Sequence, residues 1–150
     1  MNLQQIPFNT ILEQIRDEVK PLRLMGNVAS YIPELKKINP DKFGIHLRTL
    51  EGNQYSIGDY DEKFSVQSIS KVFTLSCAVS LTGEALWERI GVEPSGNPFN
   101  SMVQLEYEKG IPRNPFINAG ALVLADILLS YYDNPLDKLL SFVRSLTGED

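Results

Sequence analysis

Residues 64–73 read Phe64-Ser65-Val66-Gln67-Ser68-Ile69-Ser70-Lys71-Val72-Phe73. From Phe64 to Gly83 the chain carries one charge, that of Lys71, among apolar residues and serines. Apolar residues on nearly every side predict a helix that is buried all round. Ser68 lies three residues before Lys71, so on a helix the two side chains share a face and can touch.

A serine beside a lysine in an apolar helix is suited to nucleophilic catalysis. A hydroxyl becomes a good nucleophile when a nearby base takes its proton, and burial favours the neutral, basic form of a lysine. If Ser68 opens the helix, its main-chain N–H is free to stabilise an oxyanion. The Ser-x-x-Lys spacing alone is weak, since about one is expected per chain by chance. The isolation of Lys71 raises the catalytic interpretation above that base rate, but from the residues alone a lysine that merely snorkels or pairs remains the commoner alternative.

The composition is typical of one ordinary globular domain. The 150 residues are 43% hydrophobic and 22% charged, with a net charge of −5. An acidic chain without a basic cluster is not expected to bind nucleic acid or an anionic membrane surface. The N-terminus lacks the features of an export signal, and Lys71 and Asp126 interrupt the two most apolar windows, so no bilayer span is expected. Cys77, the only cysteine, is read as a small core residue. Without an internal disulfide, a reducing, cytoplasmic location is predicted.

The first third of the chain predicts helices followed by a β-hairpin. Residues 9–10 are expected to cap a helix that Pro21 interrupts, and residues 28–38 are expected to form a second helical segment. The apolar face of the first helix is predicted to consist of Ile11, Ile15 and Val19. Strands over 43–50 and 54–57 are expected to flank a turn at 51–53. His46 falls on the polar side of the first strand and is read as solvated, so no Ser-His-Asp triad is indicated.

The rest of the chain predicts helices. Gly83 is expected to end the Ser68 helix, and shorter helices are expected over 84–90, 100–109 and 119–131. Asn134 and Pro135 are expected to cap and open a last helix that ends before Gly148. The fold class is therefore α+β. A hairpin needs further strands or packed helices to be stable, so either the sheet is completed elsewhere or the helices cover it unaided.

Four blocks of the sequence resemble the serine-dependent glutaminases. They are Ala29-Ser30-Tyr31-Ile32-Pro33-Glu34-Leu35, Gln67-Ser68-Ile69-Ser70-Lys71, Glu93-Pro94-Ser95-Gly96-Asn97-Pro98-Phe99-Asn100 and Pro112-Arg113-Asn114-Pro115-Phe116-Ile117-Asn118-Ala119-Gly120-Ala121. The match runs in order from about Gly26 to the C-terminus. The resemblance implies a β-lactamase-like fold, similar to that of the penicillin-binding proteins, with an antiparallel sheet and flanking helices beside a helical domain.

Because the family's catalytic domain is much longer than this chain, the resemblance implies its N-terminal half only. Residues 1–66 then correspond to the N-terminal helices and β-hairpin of the α/β domain. Residues 67–150 correspond to the nucleophile helix and part of the helical domain. The two parts are expected to form a single, incomplete catalytic domain.

The resemblance also implies an activity, the hydrolysis of L-glutamine to L-glutamate and ammonia. Ser68 resembles the nucleophile and Lys71 the group that takes its proton. Tyr31, Ser68 and Asn118 resemble substrate-binding positions. The resemblance implies a homo-oligomer, no cofactor or metal ion is expected, and the acidic composition predicts neither nucleic-acid nor membrane partners.

Two other functional interpretations remain open at this point. One is another acyl hydrolase of the β-lactamase or penicillin-binding type, although the chain contains neither Lys-Thr-Gly nor Ser-Asp-Asn. The other is a catalytically silent assembly fragment, half of a site that awaits its complement. Little or no turnover is expected from residues 1–150 alone.

Several residues also have plainer interpretations. Asn118 precedes an apolar helix and is suited to be its N-cap, which we favour from the residues alone. Tyr31, beside Ile32, fits a half-buried core aromatic. Residues 95–97 imitate a Ser-x-Asn element and are interpreted as a turn. The acidic run over 59–62 fits either a metal site or, as we favour, a solvated loop.

Overall fold

The computed structural model describes residues 6–23, 25–101 and 103–148. The chain divides into two units, of which the first runs to Phe64 and the second begins at Ser65. The first unit contains a helix and a two-stranded antiparallel sheet, and the second contains only helices among the residues that the structure describes. The predicted α+β class is confirmed.

Helix α1 spans Phe8–Val19 in the first unit. It begins directly after Pro7, so the predicted cap at residues 9–10 is wrong. The helix extends to Phe8 because this ring packs against Tyr55 of the hairpin, with 4.9 Å between ring centroids. Leu12, one turn further on, is the buried residue, whereas Ile11 and Ile15 of the predicted apolar face remain partly exposed. As predicted, α1 stops before Pro21, which lies in a single 3₁₀ turn.

The predicted helical segment over 28–38 shrinks to one 3₁₀ turn, Leu35–Lys37. Pro33 explains the loss, because a proline disfavours helical conformation in the residue before it and lacks an N–H to donate.

The hairpin is confirmed. Strand β1 spans Gly44–Arg48 and β2 spans Gln54–Gly58, paired antiparallel with Ile45 opposite Ile57. Asp59 closes the open end of the hairpin: its N–H donates to the Phe43 carbonyl (2.8 Å), and its carboxylate accepts from the Phe43 N–H (3.0 Å).

The acidic loop after the hairpin forms ion pairs with the side chain of Lys42. Lys42 Nζ donates to Asp59 at 3.3 Å and to Glu62 at 3.1 Å. The pKa of the Asp59 carboxyl lies below its usual value, chiefly because of the Phe43 N–H and then because of Lys42. No cluster of three or more metal-binding side chains occurs in the part of the chain that the structure describes. The loop is an ion-paired surface segment.

The second unit begins with a 3₁₀ turn, Gln67–Ile69, that continues into α2, Ser70–Thr82. Gly83 ends α2 as predicted, with a left-handed φ of 54°. The helix predicted over 84–90 is a 3₁₀ segment, Gly83–Glu88, and the one predicted over 100–109 is the shorter α3, Val103–Tyr107. Helix α4 spans Asn118–Tyr131. Helix α5 spans Pro135–Thr147, where Asn134 caps and Gly148 ends the helix as predicted.

The core of the second unit lies where α2 meets α4 and the 3₁₀ segment. It consists of Ala78, Leu86, Ile90, Leu124 and Ile127. The prediction that α2 is buried all round is wrong, because Ala78 is its one buried residue. The outer face of α2 leaves Val72 50% and Val79 39% exposed, since one face alone packs against α4 and α5.

The helical run Gln67–Glu88 is long and apolar enough to cross a membrane, by length and composition alone. The expectation that no window would pass this test is therefore wrong. The sequence predicts that the apolar helix ends at Gly83, whereas in the structure the helical path continues through Leu86 and Trp87. A core helix of a soluble protein passes the same test, and Ala78 and Leu86 of this run belong to the core of the second unit.

Candidate active site

Ser68 stands in the 3₁₀ turn that leads into α2. Because such a turn holds about three residues, side chains at i and i+3 line up, which brings Ser68 and Lys71 to the same side of the chain. The Ser68 side chain is exposed. Its main-chain N–H has no acceptor among the described residues. The turn thus presents a hydroxyl and an N–H without an acceptor among the described residues, and the role of this N–H as an oxyanion donor stays a prediction.

The residue before Ser68 has an unusual backbone. Gln67 has a φ of 40°, in the left-handed region that residues other than glycine rarely adopt. Such a conformation costs roughly 1–3 kcal/mol and is concentrated at functional sites. The Ser70 hydroxyl donates to the Gln67 carbonyl at 2.6 Å. This bend lies at the first residue of the 3₁₀ turn, directly before Ser68.

Lys71 is half-buried and does not extend into solvent. Its Nζ donates to the Phe116 carbonyl at 2.9 Å and to Asn118 Oδ1 at 2.8 Å. The Phe99 ring lies beside the same nitrogen, 5.6 Å from Nζ to the ring centroid. No hydrogen bond joins Nζ to the Ser68 hydroxyl. The structure therefore brings Lys71 and Asn118 into contact and leaves Ser68 one turn away with its hydroxyl unengaged.

Asn118 is the first residue of α4, and Ile117 occupies the N-cap position without a side-chain cap. The cap interpretation of Asn118 is therefore wrong, because its Oδ1 accepts from Lys71. Its Nδ2 has no acceptor among the described residues and is available as a donor. The Asn118 N–H donates to the Phe99 carbonyl at 2.8 Å.

Sequence reasoning missed two partners of Lys71. Phe116 contributes a main-chain carbonyl, for which side-chain identity gives no signal. Phe99 contributes its ring from a loop rich in proline and glycine. The sequence marked Phe99 as a possible site residue only through its place in a block that resembles the glutaminases.

The other candidate residues lie in the first unit. The Tyr31 side chain is 75% exposed, so the half-buried core interpretation is wrong. The roles suggested for Tyr31 remain predictions. His46 is exposed, its Nδ1 lies 2.8 Å from the Ser56 hydroxyl, and its ring stacks on Tyr60. This agrees with the solvated interpretation.

The described residues include a groove in each unit. The larger of these two, about 650 Å³, lies in the first unit beside Lys42, Asp59 and Glu62. His46 lines it, whereas Tyr31, Ser68, Lys71 and Asn118 do not. The second, about 450 Å³, lies in the second unit and is lined by the following residues: Leu75, Trp87, Val92, Glu93, Pro94, Asn114, Pro115 and Phe116. This groove adjoins the loop that holds Lys71. Half-buried Cys77 lies outside both grooves, and burial raises the pKa of its thiol.

Comparison with known proteins identifies the family. The family model named Glutaminase matches residues 26–150. A glutaminase of Christiangramia forsetii is 57% identical over 143 residues, which are 95% of this chain and 47% of that protein. The chain thus spans about half the length of the curated relatives it matches.

Solved structures agree with this result. The crystal structure of Mglu in its tris and glutamate form is 35% identical, with a TM-score of 0.83 over 97% of this chain and 33% of that one. A probable glutaminase of Bacillus subtilis is 33% identical, with a TM-score of 0.79 over 94% of this chain and 43% of that one. The two structures confirm the predicted fold, a part of the β-lactamase-like fold of these enzymes. This chain belongs to the glutaminase family.

Proposed function

We propose that this chain supplies the nucleophile-bearing half of a glutaminase active site, in which L-glutamine is hydrolysed to L-glutamate and ammonia. The observation that carries the proposal is the anchored lysine. Lys71 Nζ has two oxygen acceptors, and it follows Ser68 by one helical turn.

The two acceptors fix the position of the lysine. The Phe116 carbonyl and Asn118 Oδ1 hold Lys71 Nζ on the side of the chain that also carries Ser68, one helical turn away. From this position the amine is the group to which the Ser68 hydroxyl would pass its proton. A serine paired with a lysine in this way is an activated nucleophile.

The reaction would proceed through an ester. Ser68 Oγ attacks the carbon of the substrate's side-chain amide while Lys71 takes the hydroxyl proton, and the Ser68 N–H donates to the oxyanion. Lys71 returns the proton to the departing nitrogen, and the C–N bond breaks to release ammonia. Water then adds to the γ-glutamyl ester and releases L-glutamate and Ser68.

Asn118 is suited to recognise the substrate's carboxylate. Its Oδ1 is occupied by Lys71, so the Nδ2 donor remains, and a donor pairs with a carboxylate. The relative Mglu was crystallised in a glutamate form, which is consistent with product binding in this family. By resemblance, Tyr31 also contacts the substrate.

The remaining assignments of the proposal follow from the resemblance and the chain's composition. Residues 1–66 and 67–150 form parts of one catalytic domain that the other half of the family's length completes. The protein is soluble and cytoplasmic and acts as a homo-oligomer. It needs no cofactor, and it binds neither nucleic acid nor membranes.

The test is ammonia release from L-glutamine by the protein expressed from its complete gene and, separately, by residues 1–150. We expect turnover by the former and little or none by the latter. Hydrolysis of nitrocefin without hydrolysis of glutamine would contradict the proposal and favour a β-lactamase-type enzyme. Robust turnover by residues 1–150 would contradict the half-site assignment.

A further inference from the structure

One acceptor of Lys71 is a main-chain atom, and main-chain atoms need support to stay in place. The Phe116 carbonyl lies in the loop before α4, in a stretch without regular secondary structure. A loop whose carbonyl contacts a candidate catalytic base must be fixed by other bonds, because a displacement of about 1 Å can cost on the order of 10²-fold in rate.

Asn114 provides that support with all of its side-chain polar atoms. Its Oδ1 accepts from the Phe116 N–H at 3.0 Å and from the Ile117 N–H at 3.2 Å. Its Nδ2 donates to the Glu93 carbonyl at 2.9 Å. The side chain thus ties the loop to itself and to the neighbouring segment that begins at Gly91.

Planarity of the peptide bond transmits this constraint to Lys71. The Phe116 carbonyl and the Ile117 N–H belong to one peptide unit, which is trans. In a trans peptide the N–H and the C=O point in opposite directions. Asn114 Oδ1 holds the N–H side, so the carbonyl side is directed at Lys71 Nζ.

Two glycines allow the loop to approach its neighbours closely. A Cβ on Gly120, in the first turn of α4, would lie 2.1 Å from the Asn114 carbonyl oxygen. A Cβ on Gly91 would lie 2.7 Å from the Arg113 carbonyl oxygen. The Gly91 and Glu93 N–H groups donate to Pro112 and Arg113 at 2.8 and 2.9 Å. The loop is therefore fixed on both sides of Asn114.

We propose that Asn114 is a positioning residue for Lys71, which acts through the 116–117 peptide without touching the lysine. The catalytic part of this inference rests on the proposed function, whereas the geometric part does not. We therefore separate the two parts by measuring the position of the lysine and the rate of turnover independently.

The first measurement is the NMR signal of the Lys71 ε-methylene group in protein with ¹³C-labelled lysine, assigned by its loss in Lys71→Arg. The Phe99 ring current displaces this signal while Nζ lies beside the ring. In Asn114→Ala we expect the signal to move to the position of the exposed lysines. Asn114→Asp retains oxygen acceptors for both N–H groups but loses the donor to the Glu93 carbonyl, so its signal should lie between those of the wild type and Asn114→Ala.

The second measurement is turnover of glutamine by the same variants, expressed from the complete gene. We expect kcat of Asn114→Ala to fall roughly 10- to 100-fold with little change in KM, because the base is misplaced. Asn114→Asp should retain more activity than Asn114→Ala, because it keeps the acceptor for the two N–H groups. Asn114→Gln is a second disruptive variant in case Asn114→Ala does not fold, since it keeps the amide and misplaces it by one methylene group.

Asn134→Ala is the matched control. Asn134 also accepts a main-chain N–H through its side chain, at the start of α5, so its loss should cost similar stability. We expect its Lys71 signal and its kcat to remain those of the wild type.

Three results would overturn the inference: an unmoved Lys71 signal in Asn114→Ala, a moved signal with unchanged kcat, or the same response in Asn134→Ala. A wild-type protein that does not hydrolyse glutamine would instead contradict the proposed function. The Lys71 signal would still decide whether Asn114 fixes the position of Lys71.

Discussion

The Nζ atom of Lys71 lies 2.9 Å from the carbonyl oxygen of Phe116, 45 residues further along the chain. A second acceptor, Asn118 Oδ1, lies 2.8 Å away at the start of α4. Lys71 is therefore held by a loop that is distant in sequence. Ser68, whose proton it would take, lies one helical turn before Lys71 on the same helical path. The position of the lysine therefore depends on how the loop before α4 is folded as much as on α2.

The first prediction concerns the nucleophile and the base. In the protein expressed from its complete gene, Ser68→Ala and Lys71→Ala should each lower kcat by roughly 10⁴- to 10⁶-fold, because a nucleophile and its base fail as a unit. Lys71→Arg should not restore activity, since a guanidinium does not give up its proton. Ammonia release from glutamine measures the effect.

Ser76→Ala is the control for this series. Ser76 is an exposed hydroxyl on α2 that donates to the Val72 carbonyl at 2.9 Å. Its loss should leave kcat unchanged. Equal losses in Ser76→Ala and Ser68→Ala would show that any serine of this helix matters for folding, which would refute the assignment of Ser68.

The second prediction concerns Gly120. An alanine there would bring Cβ to 2.1 Å from the main-chain oxygen of Asn114. Main-chain atoms move aside less easily than the end of a flexible side chain. We expect Gly120→Ala to lower the free energy of unfolding by about 1–3 kcal/mol or more. Gly96→Ala, where nothing lies within 4 Å of the added Cβ, should change it little. Urea unfolding of both variants measures the difference, and equal stabilities would disprove the close approach.

The third prediction concerns pH and Asp59. The pKa of Asp59 is lowered in the folded chain by the Phe43 N–H and by Lys42. A carboxyl with a lowered folded pKa stabilises the fold above its unfolded pKa, about 3.9. That stabilisation is lost as the pH falls through the folded value. Asp59→Asn should therefore flatten the pH dependence of the free energy of unfolding below about pH 4.

Asp61→Asn is the control for this measurement, because Asp61 belongs to the same loop and has no hydrogen bond or ion pair with a described residue. Its profile should match that of the wild type. Identical acid profiles for Asp59→Asn and the wild type would mean that Asp59 does not close the hairpin as described.

The fourth prediction concerns Cys77. Burial raises the pKa of its thiol, and the thiolate is the reactive form. Alkylation at neutral pH should therefore be slower in the folded chain than in urea, and its pH midpoint should lie above the usual thiol value of about 8.5. Since Cys77 is the only cysteine, the mass of the intact protein reports the reaction directly. Equal rates in the folded and unfolded chain would be inconsistent with the structure.

Much of the fold follows from local sequence signals. Asn134, Pro135 and Gly148 mark the ends of α5 because capping chemistry depends on a few neighbouring residues. The hairpin follows from alternation and from a turn at Gly52, whose φ of 89° suits glycine.

Other features depend on distant parts of the chain, and local signals mispredict them. The cap expected at residues 9–10 is displaced because Phe8 packs on Tyr55, far away in sequence. Helix α2 is less buried than its sequence predicts. Apolar residues on every side indicate that a helix could be covered all round, whereas the partners of α2 among the described residues cover one face.

The candidate site shows the same division. Ser68 and Lys71 are neighbours along a helix, so their spacing was visible in the sequence. Asn118 is suited equally to a cap and to a lysine partner, and tertiary structure decides between them. The contact of the Phe116 carbonyl with Lys71 could not be predicted from the sequence, since every residue has a main-chain carbonyl.

The use of a carbonyl at position 116 has a consequence for mutational surveys. An exchange of the half-exposed Phe116 ring for another side chain leaves the oxygen that meets the lysine in place, so a scan of amino-acid replacements would score this position as permissive. At position 116 itself, the dependence would emerge only when the backbone is edited, for example by an ester in place of the amide between residues 116 and 117. Tolerance to substitution at this position would then conceal one of the two hydrogen-bond acceptors of Lys71.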